Sequence, residues 1–488
     1  MSGSPPAQGG EPRLHGEWEE RYTAERKSHW DQVARAGLPE SFPRRSYHRL
    51  LTRHYGLIIP PGSKILELGC GTGDLLASLQ PSRGLGVDFS GEMTALARSN
   101  HPDLEFVEGD VHTIALDEKF DFIILSDLVN DLWDIQRVLR HLRRWIHPGS
   151  RVVINFWSRL WQPVLGLARM TGQGAPLLEQ NWVTFEDMAN MLALEDFEVV
   201  KKSAEILLPL ELPALDTLAN GYLVKLPVMR LFAMTNVITA RPLGLDLGGE
   251  KTVTVVVPAR NERGNIDDIL RRVPEMGAGT EIIFVEGGST DNTYETIEKA
   301  IPLYPDKKIK LLKQTGKGKG DAVRAGFAAA SGELLMILDA DLTVPPEDLP
   351  LFYEALSTGK CEFANGVRLV YPMEKKAMRF LNLLGNKGFS MIFSWLLGQN
   401  VKDTLCGTKA LHRDWYQRIA AGRSYFGEFD PFGDFDLLLG AVKQNMKVMD
   451  LPIRYRERTY GETNIQRWKH GLMLARMVLF AARRIKFV

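Results

Sequence analysis

Two series of strand-like runs, each opened by its own turn signature, constrain the fold of this chain more than any other feature. The first series begins at KILELGCGTG (Lys64 to Gly73) and the second at VVVPARNE (Val255 to Glu262). In both series, apolar runs of strand length alternate with helical stretches. Strands that alternate with helices indicate βαβ units and a mainly parallel sheet. The sequence therefore predicts two α/β domains.

The candidate strands place the domain boundaries. The first series contains SKILELG, GLGVDFS, LEFVEGD, FDFIILSD and RVVINFW, with NVITARP as a candidate last strand. The second contains KTVTVVVP, EIIFVEGG, IKLLKQT, ELLMILDAD and EFANGVR. We predict a disordered or helical tail over 1–30, a first domain over 31–245, a linker over 246–250, a second domain over 251–465 and a basic amphipathic helix over 466–488.

Composition excludes several classes of protein. A chain of 488 residues is too long for one ordinary core, and its 44% hydrophobic content is enough for two. Lys plus Arg equals Asp plus Glu at 60 each, so net charge gives no support for a nucleic-acid partner. Three widely spaced cysteines argue against a disulfide framework or a zinc site and favour a reducing, cytoplasmic setting. No apolar run reaches the roughly 18 residues of a membrane span, and the N-terminus lacks the apolar segment of a secretory signal.

The first turn signature predicts a nucleotide-type site. A strand ending in Glu67 leads into Gly69, Gly71 and Gly73, which open a helix, and Asp88 lies at the end of the next strand. Glycines let backbone N–H groups approach a ligand closely, and an acid in that position can accept hydrogen bonds from ribose hydroxyls. The alternative is an ordinary strand–helix turn.

Together with EGDVH (Glu108 to His112), this pattern resembles class I S-adenosylmethionine-dependent methyltransferases over roughly residues 40–245. The resemblance implies a Rossmann-like sheet with S-adenosylmethionine as cofactor. It also implies that Asp110 holds the adenine amine and that the SDLVNDLWD segment lines the active site. The cofactor-binding residues would then be Glu67, Gly69, Gly71, Gly73, Asp88 and Asp110.

The methyl acceptor cannot be read from the sequence. Asp127, Asn130 and Asp131 are candidates for facing it, with helix N-capping as the alternative role of such residues. His112 could act as a base or could be a solvated loop histidine. Cys70 is interpreted as a small residue that fills space in the loop.

The second series carries paired acids. In LLMILDAD, Asp339 and Asp341 follow a buried strand, and two carboxylates so close repel unless a cation lies between them. Carboxylates plus a substrate diphosphate are the ligands that Mg²⁺ or Mn²⁺ prefers. The alternative is a solvated surface turn.

These segments resemble family 2 glycosyltransferases of the GT-A fold over 251 to about 465, and within them dolichyl-phosphate mannose synthases and dolichyl-phosphate glucosyltransferases. The supporting strings are GKGKGDAVRAGF, DADLTVPPEDL, KDTLCGTKALHR and LPIRYRERTYGETNI. By this resemblance Pro258, Arg260, Glu262 and Glu286 bind the nucleoside, Asp339, Ala340 and Asp341 hold ribose and metal, and Arg368 and Arg458 meet phosphates.

The chain departs from that family at two positions. Glu286-Gly287 stands where the family has consecutive Asp residues, which leaves one longer acid for the base or ribose. Asn464 stands where the family tends to have Lys, and Arg467 or Lys469 could replace the lost cation. Both departures weaken the assignment of donor and acceptor.

Asp434 and Asp436 in GDFDLL are candidates for lining the acceptor site, with a helix N-cap as the alternative. A lipid phosphate acceptor would already be anionic and would need no strong base. The predicted catalytic residues of this domain are therefore Asp341, Asp434, Asp436 and Arg458.

The C-terminal segment from Gln466 to Val488 contains Arg467, Lys469, Arg476, Arg483, Arg484 and Lys486 among apolar residues and no acid. Such a basic amphipathic helix can lie in an anionic headgroup layer, or it can pack on the core with its basic residues solvated. The first alternative predicts a cytoplasmic protein in peripheral contact with the cytoplasmic membrane face.

The sequence thus predicts a bifunctional transferase. Its first domain would transfer methyl groups from S-adenosylmethionine, and its second would transfer a sugar from a nucleotide sugar, with a metal and with inversion, to a polyprenyl phosphate. An alternative makes the first domain an S-adenosylmethionine-binding regulatory or scaffold module. A non-enzymatic membrane adaptor is a third hypothesis, which the paired acids argue against.

Overall fold

Two compact units, Met1–Leu245 and Asp246–Val488, make up the chain. A computed structural model describes residues 11–37, 42–170, 178–210, 212, 214–371, 380–425, 435–458, 460 and 467–487. The boundary falls at the start of the segment 246–250 that we predicted as a linker. Each unit contains one seven-stranded sheet.

The first unit is built on a mostly parallel sheet. Its strands are β1 (Lys64–Leu68), β2 (Arg83–Asp88), β3 (Glu105–Glu108), β4 (Phe122–Ser126), β5 (Arg151–Trp157), β6 (Phe197–Glu205) and β7 (Thr235–Pro242). They lie in the order β3-β2-β1-β4-β5-β7-β6. Only β7 runs antiparallel to its two neighbours, β5 and β6. Nearly every residue of β1, β4 and β5 is buried, because helices cover both faces of a parallel sheet.

Two helices of the first unit precede the sheet, and the others lie between its strands. They are α1 (Glu11–Ala36), α2 (Phe42–Ile58), α3 (Asp74–Ser78), α4 (Gly91–Asn100), α5 (Ile135–Leu142), α6 (Gln162–Met170) and α7 (Phe185–Leu194). Short 3₁₀ or π turns occupy Arg143–Trp145, Arg159–Trp161, Thr217–Tyr222, Leu223–Lys225 and Met229–Phe232. Residues 11–30, which we predicted as part of a disordered or helical tail, therefore belong to a long helix that packs on α4.

The second unit has a mixed sheet. Its strands are β8 (Val253–Ala259), β9 (Thr280–Glu286), β10 (Lys308–Lys313), β11 (Leu334–Ile337), β12 (Phe363–Val367), β13 (Lys409–His412) and β14 (Val448–Pro452). Their order is β10-β9-β8-β11-β13-β12-β14. Strands β10, β9, β8 and β11 are parallel, and β13 runs antiparallel to β11 and β12.

Two cores flank this second sheet. The helices are α8 (Ile266–Arg272), α9 (Thr293–Ala300), α10 (Lys319–Ala329), α11 (Leu349–Ser357), α12 (Phe380–Leu397), α13 (Arg413–Ala421), α14 (Phe435–Lys443) and α15 (Arg467–Ala481). Short turns cover Arg263–Asn265, Ile301–Leu303, Pro346–Asp348, Arg423–Tyr425 and Ala482–Lys486. One core contains α8 and α11, and the other contains α10, α12, α14 and α15.

The predicted fold class is confirmed: a Rossmann-like unit precedes a GT-A unit. All eleven predicted strands occur, and NVITARP forms β7, next to the edge of its sheet and not at it. The prediction missed β6, β13 and β14. Strand β6 contains Lys201-Lys202 and has a mixed burial pattern, whereas β13 and β14 are short.

The C-terminal helix packs on the core, which was one of its two predicted alternatives, and its contact with a headgroup layer stays a prediction. Leu474, Met477 and Ala481 of α15 are buried in the core, while Leu472, Leu479 and three arginines face outward. Among the described residues, no helix combines the length and the apolar character that crossing a bilayer requires.

Candidate active sites

In the first unit, the turn after β1 brings backbone amides to the carboxylate of Asp88. Gly69, Gly71 and Gly73 have φ angles of 70°, 51° and 78°, a left-handed region that favours glycine. The Asp88 carboxylate accepts hydrogen bonds from the N–H of Gly71 (2.9 Å) and of Ser90 (2.9 Å). Burial raises its pKa to about 6. The carboxylate is therefore held in place by backbone donors at the end of β2.

Space also requires glycine at position 73. A Cβ there would lie 2.5 Å from the ring of Phe106, which belongs to strand β3 on the far side of β2. Glu67 is buried below the turn, where it accepts a hydrogen bond from the N–H of Leu76 at 3.1 Å. Burial raises the pKa of Glu67 to about 8. Cys70 is buried as the predicted space-filling residue would be, and burial raises the pKa of its thiol.

Asp110 and His112 form a pair that the sequence did not predict. The Nδ1 atom of His112 lies 2.7 Å from Asp110 Oδ1, and its Nε2 accepts a hydrogen bond from the N–H of Asp134. His112 is buried, so our interpretation of a solvated loop histidine is wrong. Although partial burial opposes it, hydrogen bonding by His112 holds the pKa of Asp110 below its usual value.

Asp127 lies at the centre of a buried polar cluster. It accepts hydrogen bonds from the hydroxyl of Tyr47 (2.9 Å) and from the amide of Asn155 (2.6 Å), and the indole of Trp157 donates to the same hydroxyl. Burial raises the pKa of Asp127 to about 7. Its φ of 53° is a strained conformation for a residue with a side chain, and such strain concentrates at functional sites.

Asn130 and Asp131 have other partners. The amide of Asn130 donates to the carbonyl of Asn181, and Asp131 accepts from the indole of Trp30 at 2.9 Å. Asp134 caps α5, so none of the three acceptor candidates has the capping role at this helix that we kept as the alternative. Asn130 thus connects its own loop to the loop of Asn181, and Asp131 anchors α1 through Trp30.

A cavity of about 730 Å³ connects these groups. Its lining includes five of the six predicted cofactor residues, all except Gly73, and both Asp127 and Asp131. Tyr22, Arg26 and Trp30 of α1 and Arg44 of α2 line its other side. This volume lies within the range of small-molecule and cofactor sites. The sequence patterns did not indicate that residues of α1 and α2 line this cavity.

In the second unit, the carboxyl ends of β8, β9 and β11 bring the predicted acids to one edge of the sheet. Arg458 pairs with Asp341 at 2.7 Å and approaches Glu262 at 3.5 Å. Burial raises the pKa of Glu262 to about 7, with Arg458 opposing the rise and Asp341 adding to it. Asn261 and Leu342, each adjacent to one of these acids, have φ angles of 57° and 55°. Three residues far apart in sequence thus meet in one cluster.

Asp339 has a separate cationic partner. Its carboxylate lies 2.5 Å from the ammonium of Lys319 at the start of α10. A Cβ at Gly407 would lie 2.1 Å from Asp339 Oδ2 and 2.2 Å from Lys319 Nζ. The backbone of Gly407 therefore closes over this pair. The sequence analysis used the strings that contain Lys319 and Gly407 only as support for the resemblance and assigned neither residue to the site.

The other predicted donor-site residues flank this cluster. Glu286 is buried and accepts a hydrogen bond from the N–H of Ser289 at 2.5 Å. Arg260 is exposed at the end of β8, Pro258 is half-buried, and Ala340 is buried between the two acids. Their contact with a nucleoside stays a prediction.

Arg368 has a partner that the sequence analysis did not anticipate. Its Nε and Nη2 donate to the two carboxylate oxygens of Asp403 at 2.7 Å and 2.9 Å, and the Asp403 side chain is fully buried. Although burial opposes ionisation, the charge of Arg368 holds the pKa of Asp403 below its usual value. The predicted contact of Arg368 with phosphate would therefore compete with this ion pair.

The structure pairs Asp436 with Arg423 at 2.8 Å in the first turn of α14. Asp434 and Asn464 lie outside the described residues, and so do the side chains of Arg467 and Lys469. The predicted roles of these residues as acceptor-site or replacement groups stay predictions.

We call the turn that carries Asp339 and Asp341 the acid turn. It could hold a divalent cation only if a substrate supplied further ligands. Within the described parts of the chain, no group of three or more His, Cys, Asp or Glu side chains is arranged to hold a metal ion. Asp341 Oδ1 accepts from the N–H and hydroxyl of Thr343, and Oδ2 faces Arg458. Mg²⁺ is commonly held by one or two carboxylates plus substrate phosphates and water, a donor set that Asp339 and Asp341 can supply in part.

The units thus define a transferase with a Rossmann-like domain and a GT-A domain. Residues 65–149 match the family model described as a methyltransferase domain, and residues 254–420 match glycosyl transferase family 2. The chain therefore contains a methyltransferase domain and a family 2 glycosyltransferase domain, as the sequence analysis predicted.

Curated relatives agree with the second assignment. A dolichol-phosphate mannosyltransferase from Pyrococcus furiosus is 30% identical over 220 residues, which are 44% of this chain and 59% of that protein. An undecaprenyl-phosphate 4-deoxy-4-formamido-L-arabinose transferase from Edwardsiella ictaluri is 26% identical over 45% of this chain and 63% of that protein. This chain thus spans about three fifths of either relative.

Among solved structures, glucosyl-3-phosphoglycerate synthase from Mycobacterium tuberculosis is 20% identical, with a TM-score of 0.36 over 48% of this chain and 80% of that one.

The packing of Gly407 makes a specific prediction. Gly407→Ala should displace the Asp339–Lys319 pair, because both clashing atoms are ends of flexible side chains that can move. We expect an intact fold and a roughly tenfold or greater loss of nucleotide affinity, which corresponds to about 1.4 kcal/mol. Calorimetric titration with nucleoside diphosphates would measure it. Gly249→Ala is the control, since a Cβ there meets nothing within 4 Å, and an equal loss in both variants would contradict the prediction.

Proposed function

We propose that the first unit transfers a methyl group from S-adenosylmethionine. The observation that carries this proposal is the cavity that the glycine turn, Asp88, Asp110 and Asp127 line together. Asp88, fixed by two backbone donors, would accept from the ribose hydroxyls. Asp110, oriented by His112, would accept from the adenine amine. The cofactor supplies an activated methyl group, so the protein contributes mainly position.

Asp127 is the group best placed to act on the acceptor. Its pKa of about 7 lets it exist in both protonation states near neutrality, which suits a general base. Tyr47 and Asn155 hold its carboxylate within the cavity wall. Asn130 and Asp131 have structural partners and are weaker candidates.

A regulatory module that binds S-adenosylmethionine without turnover would use the same cavity. Calorimetry on the full chain with S-adenosylmethionine, followed by transfer of labelled methyl groups to lipid and glycan extracts, separates the two. Binding with labelled product in wild type and none in Asp127→Asn supports the enzyme. Binding without product in any extract would favour the regulatory module, and no binding would overturn both.

For the second unit we propose transfer of a sugar from a nucleotide sugar to a polyprenyl phosphate, with inversion. The cluster of Asp341, Arg458 and Glu262 at the carboxyl edge of the sheet carries this proposal. The relatives named as acting on dolichol phosphate and undecaprenyl phosphate support the acceptor class. A phosphate oxygen is already anionic, so attack on the anomeric carbon requires no strong base.

Asp339 and Asp341 would hold a divalent cation, Mg²⁺ or Mn²⁺, together with the donor diphosphate. Such an ion stabilises the negative charge that develops on a nucleoside diphosphate leaving group. Arg458 can meet the same phosphates once Asp341 turns to the ion, and Lys319 can balance Asp339. Both cations are paired with acids in the structure, so an ion bound by Asp339 and Asp341 would free them to meet the diphosphate.

Peripheral membrane contact is part of this proposal. Lys387, Met391 and Ile392 of α12 are exposed, and α12 packs against α15, whose Leu472 and Leu479 also face outward. Apolar side chains among basic ones suit an anionic headgroup layer. This contact would bring the second unit to a lipid-linked acceptor at the cytoplasmic membrane face.

The decisive assay follows labelled sugar from a panel of nucleoside diphosphate sugars into polyprenyl phosphate, with and without Mg²⁺ or Mn²⁺. Product that requires the lipid phosphate and the ion supports the proposal. Product on a water-soluble acceptor alone would overturn the lipid assignment, and ion-independent transfer would overturn the metal role.

The pKa values of the first site predict how cofactor affinity depends on pH. Burial raises the pKa of Asp88 to about 6 and that of Asp127 to about 7, so both carboxylates lose charge as pH falls through this range. A sulfonium cation favours ionised neighbours. We therefore expect S-adenosylmethionine to bind about tenfold or more tightly at about pH 8 than at about pH 5.5.

Calorimetry across pH would measure this dependence, with S-adenosylhomocysteine as the control. That product lacks the sulfonium charge, so its affinity should change less over the same range. Equal pH dependence for the two ligands would contradict a charge interaction between these carboxylates and the sulfonium, and it would leave the ribose contact of Asp88 as the cause.

A further inference from the structure

The first unit has an apolar surface that neither catalytic proposal uses. Of the 24 exposed large hydrophobic residues in the described chain, 13 lie in two segments, 159–170 and 212–232. They include Met170, 85% exposed, and Leu167, Val228 and Leu231, each at least 60% exposed. We call the surface of these two segments the apolar face. Monomeric soluble proteins rarely leave so many large apolar side chains together in water unless the patch binds something.

Hydrogen bonds join the two segments into one platform. The indole of Trp161 donates to the carbonyl of Phe232 at 3.0 Å, and Ser158 N–H donates to the carbonyl of Met234 at 2.7 Å. Asn220 holds the second segment by accepting from the N–H groups of Leu207 and Leu208. The apolar side chains are thus displayed by short, anchored turns.

Among the described residues of the two segments, the exposed charged side chains are basic. Arg159 and Arg230 both face solvent. Lys225 is paired with buried Glu205, and the carboxylate of Asp216 accepts from the amide of Asn220. Apolar side chains fringed by arginine complement a bilayer with anionic headgroups. A symmetric contact between two copies would instead bring the same arginines towards one another.

The position of the apolar face relates it to the cavity. The first segment follows the carboxyl end of β5, and the second precedes the start of antiparallel β7, so both leave the same edge of the sheet. At that edge Trp157 donates to Tyr47, which donates to Asp127 in the cavity wall. A surface seated on this face would therefore lie at the edge of the sheet where Asp127 lines the cavity.

From these observations we propose that the apolar face is a membrane-binding surface. Residues 159–170 and 212–232 insert their leucine, valine and methionine side chains at the lipid–water interface, and Arg159 and Arg230 contact anionic headgroups. This contact is separate from the one proposed for α12 and α15 and does not depend on either catalytic activity. It would place the first site beside lipid-linked molecules.

A site-specific probe tests the proposal in the full chain. The native cysteines are all buried, so a cysteine introduced by Val164→Cys can be labelled selectively with an environment-sensitive dye. We expect a blue shift and at least about a twofold rise in emission on adding phosphatidylglycerol–phosphatidylcholine vesicles. Leu194→Cys is the control, because Leu194 is 67% exposed in the same unit but outside the apolar face. No change at 164, or equal changes at both positions, would overturn the proposal.

A second pair of variants separates membrane binding from self-association. Leu231→Glu should weaken vesicle binding of the full chain about tenfold or more, since it replaces an exposed leucine that would insert into lipid with a charged side chain, while Leu194→Glu should not. If α12 and α15 alone bind the membrane, the two variants will behave alike and the proposal fails. A dimer in light scattering without lipid that Leu231→Glu dissociates would also overturn it, by assigning the face to a second copy.

Discussion

Asp341→Asn should reduce sugar transfer by the second unit by a factor on the order of a hundred to a thousand, the scale seen when one preorganised charge-stabilising group is removed. The side-chain carbonyl oxygen of asparagine can still accept the hydrogen bonds that Thr343 donates. It loses the negative charge that faces Arg458 and would hold a cation. The fold should persist, and the rate of sugar transfer from a labelled donor measures the effect.

The control for this variant is Asp306→Asn, which neutralises an exposed acid of the same unit. It should leave transfer unchanged, and S-adenosylmethionine binding should be the same in both variants because the first unit has its own site. If Asp341→Asn transfers sugar at the wild-type rate, the acid turn is not part of the catalytic machinery. A loss shared with the control would instead indicate a general effect of charge.

The local sequence pattern was sufficient to predict the strands and turns that position both sites. Parallel strands buried on both faces read as continuous apolar runs, and glycine or acid follows where such a strand ends. For this reason the turn at 69–73, Asp88 and the pair Asp339 and Asp341 could be located from sequence. The carboxyl ends of neighbouring parallel strands share an edge, so the acids of the second unit could be expected to lie close together.

Partners from distant parts of the chain could not be predicted in the same way. Asp127 is held by Tyr47 from α2 and by Asn155 from β5, and neither lies in a motif with Asp127. Lys319 was visible in a string that supported the resemblance, but its pairing with Asp339 depends on where α10 begins relative to β11. Such contacts are set by tertiary packing.

Arg368 shows how a family resemblance can miss a local structural requirement. A basic residue near a diphosphate site favours a phosphate ligand, but burial of its guanidinium demands an anion at all times. Asp403 supplies that anion inside the protein, and Asn386 and the backbone of Leu405 complete its hydrogen bonds. The sequence could not indicate this, because the two residues lie on opposite sides of α12 in the chain.

Asp403→Asn should therefore destabilise the second unit by about 3–5 kcal/mol, the usual cost of leaving one member of a buried ion pair without its partner. The variant places an amide N–H₂ among donors from Arg368, Asn386 and Leu405, so at least one of them loses its acceptor. Chemical denaturation of the full chain, monitored by a separate signal for each unit, would measure the change in the free energy of unfolding.

The exposed pair of Glu354 and Lys360 offers the matched comparison, and Glu354→Gln should change stability little because solvent screens that pair. The result for Asp403→Asn also distinguishes a structural role of Arg368 from a phosphate-binding role. If Asp403→Asn unfolds the second unit more easily while donor affinity at low denaturant is retained, the guanidinium serves the fold. If stability is unchanged and donor affinity rises, freeing Arg368 has released a phosphate-binding group, and the ion pair is then a switch that the donor must open.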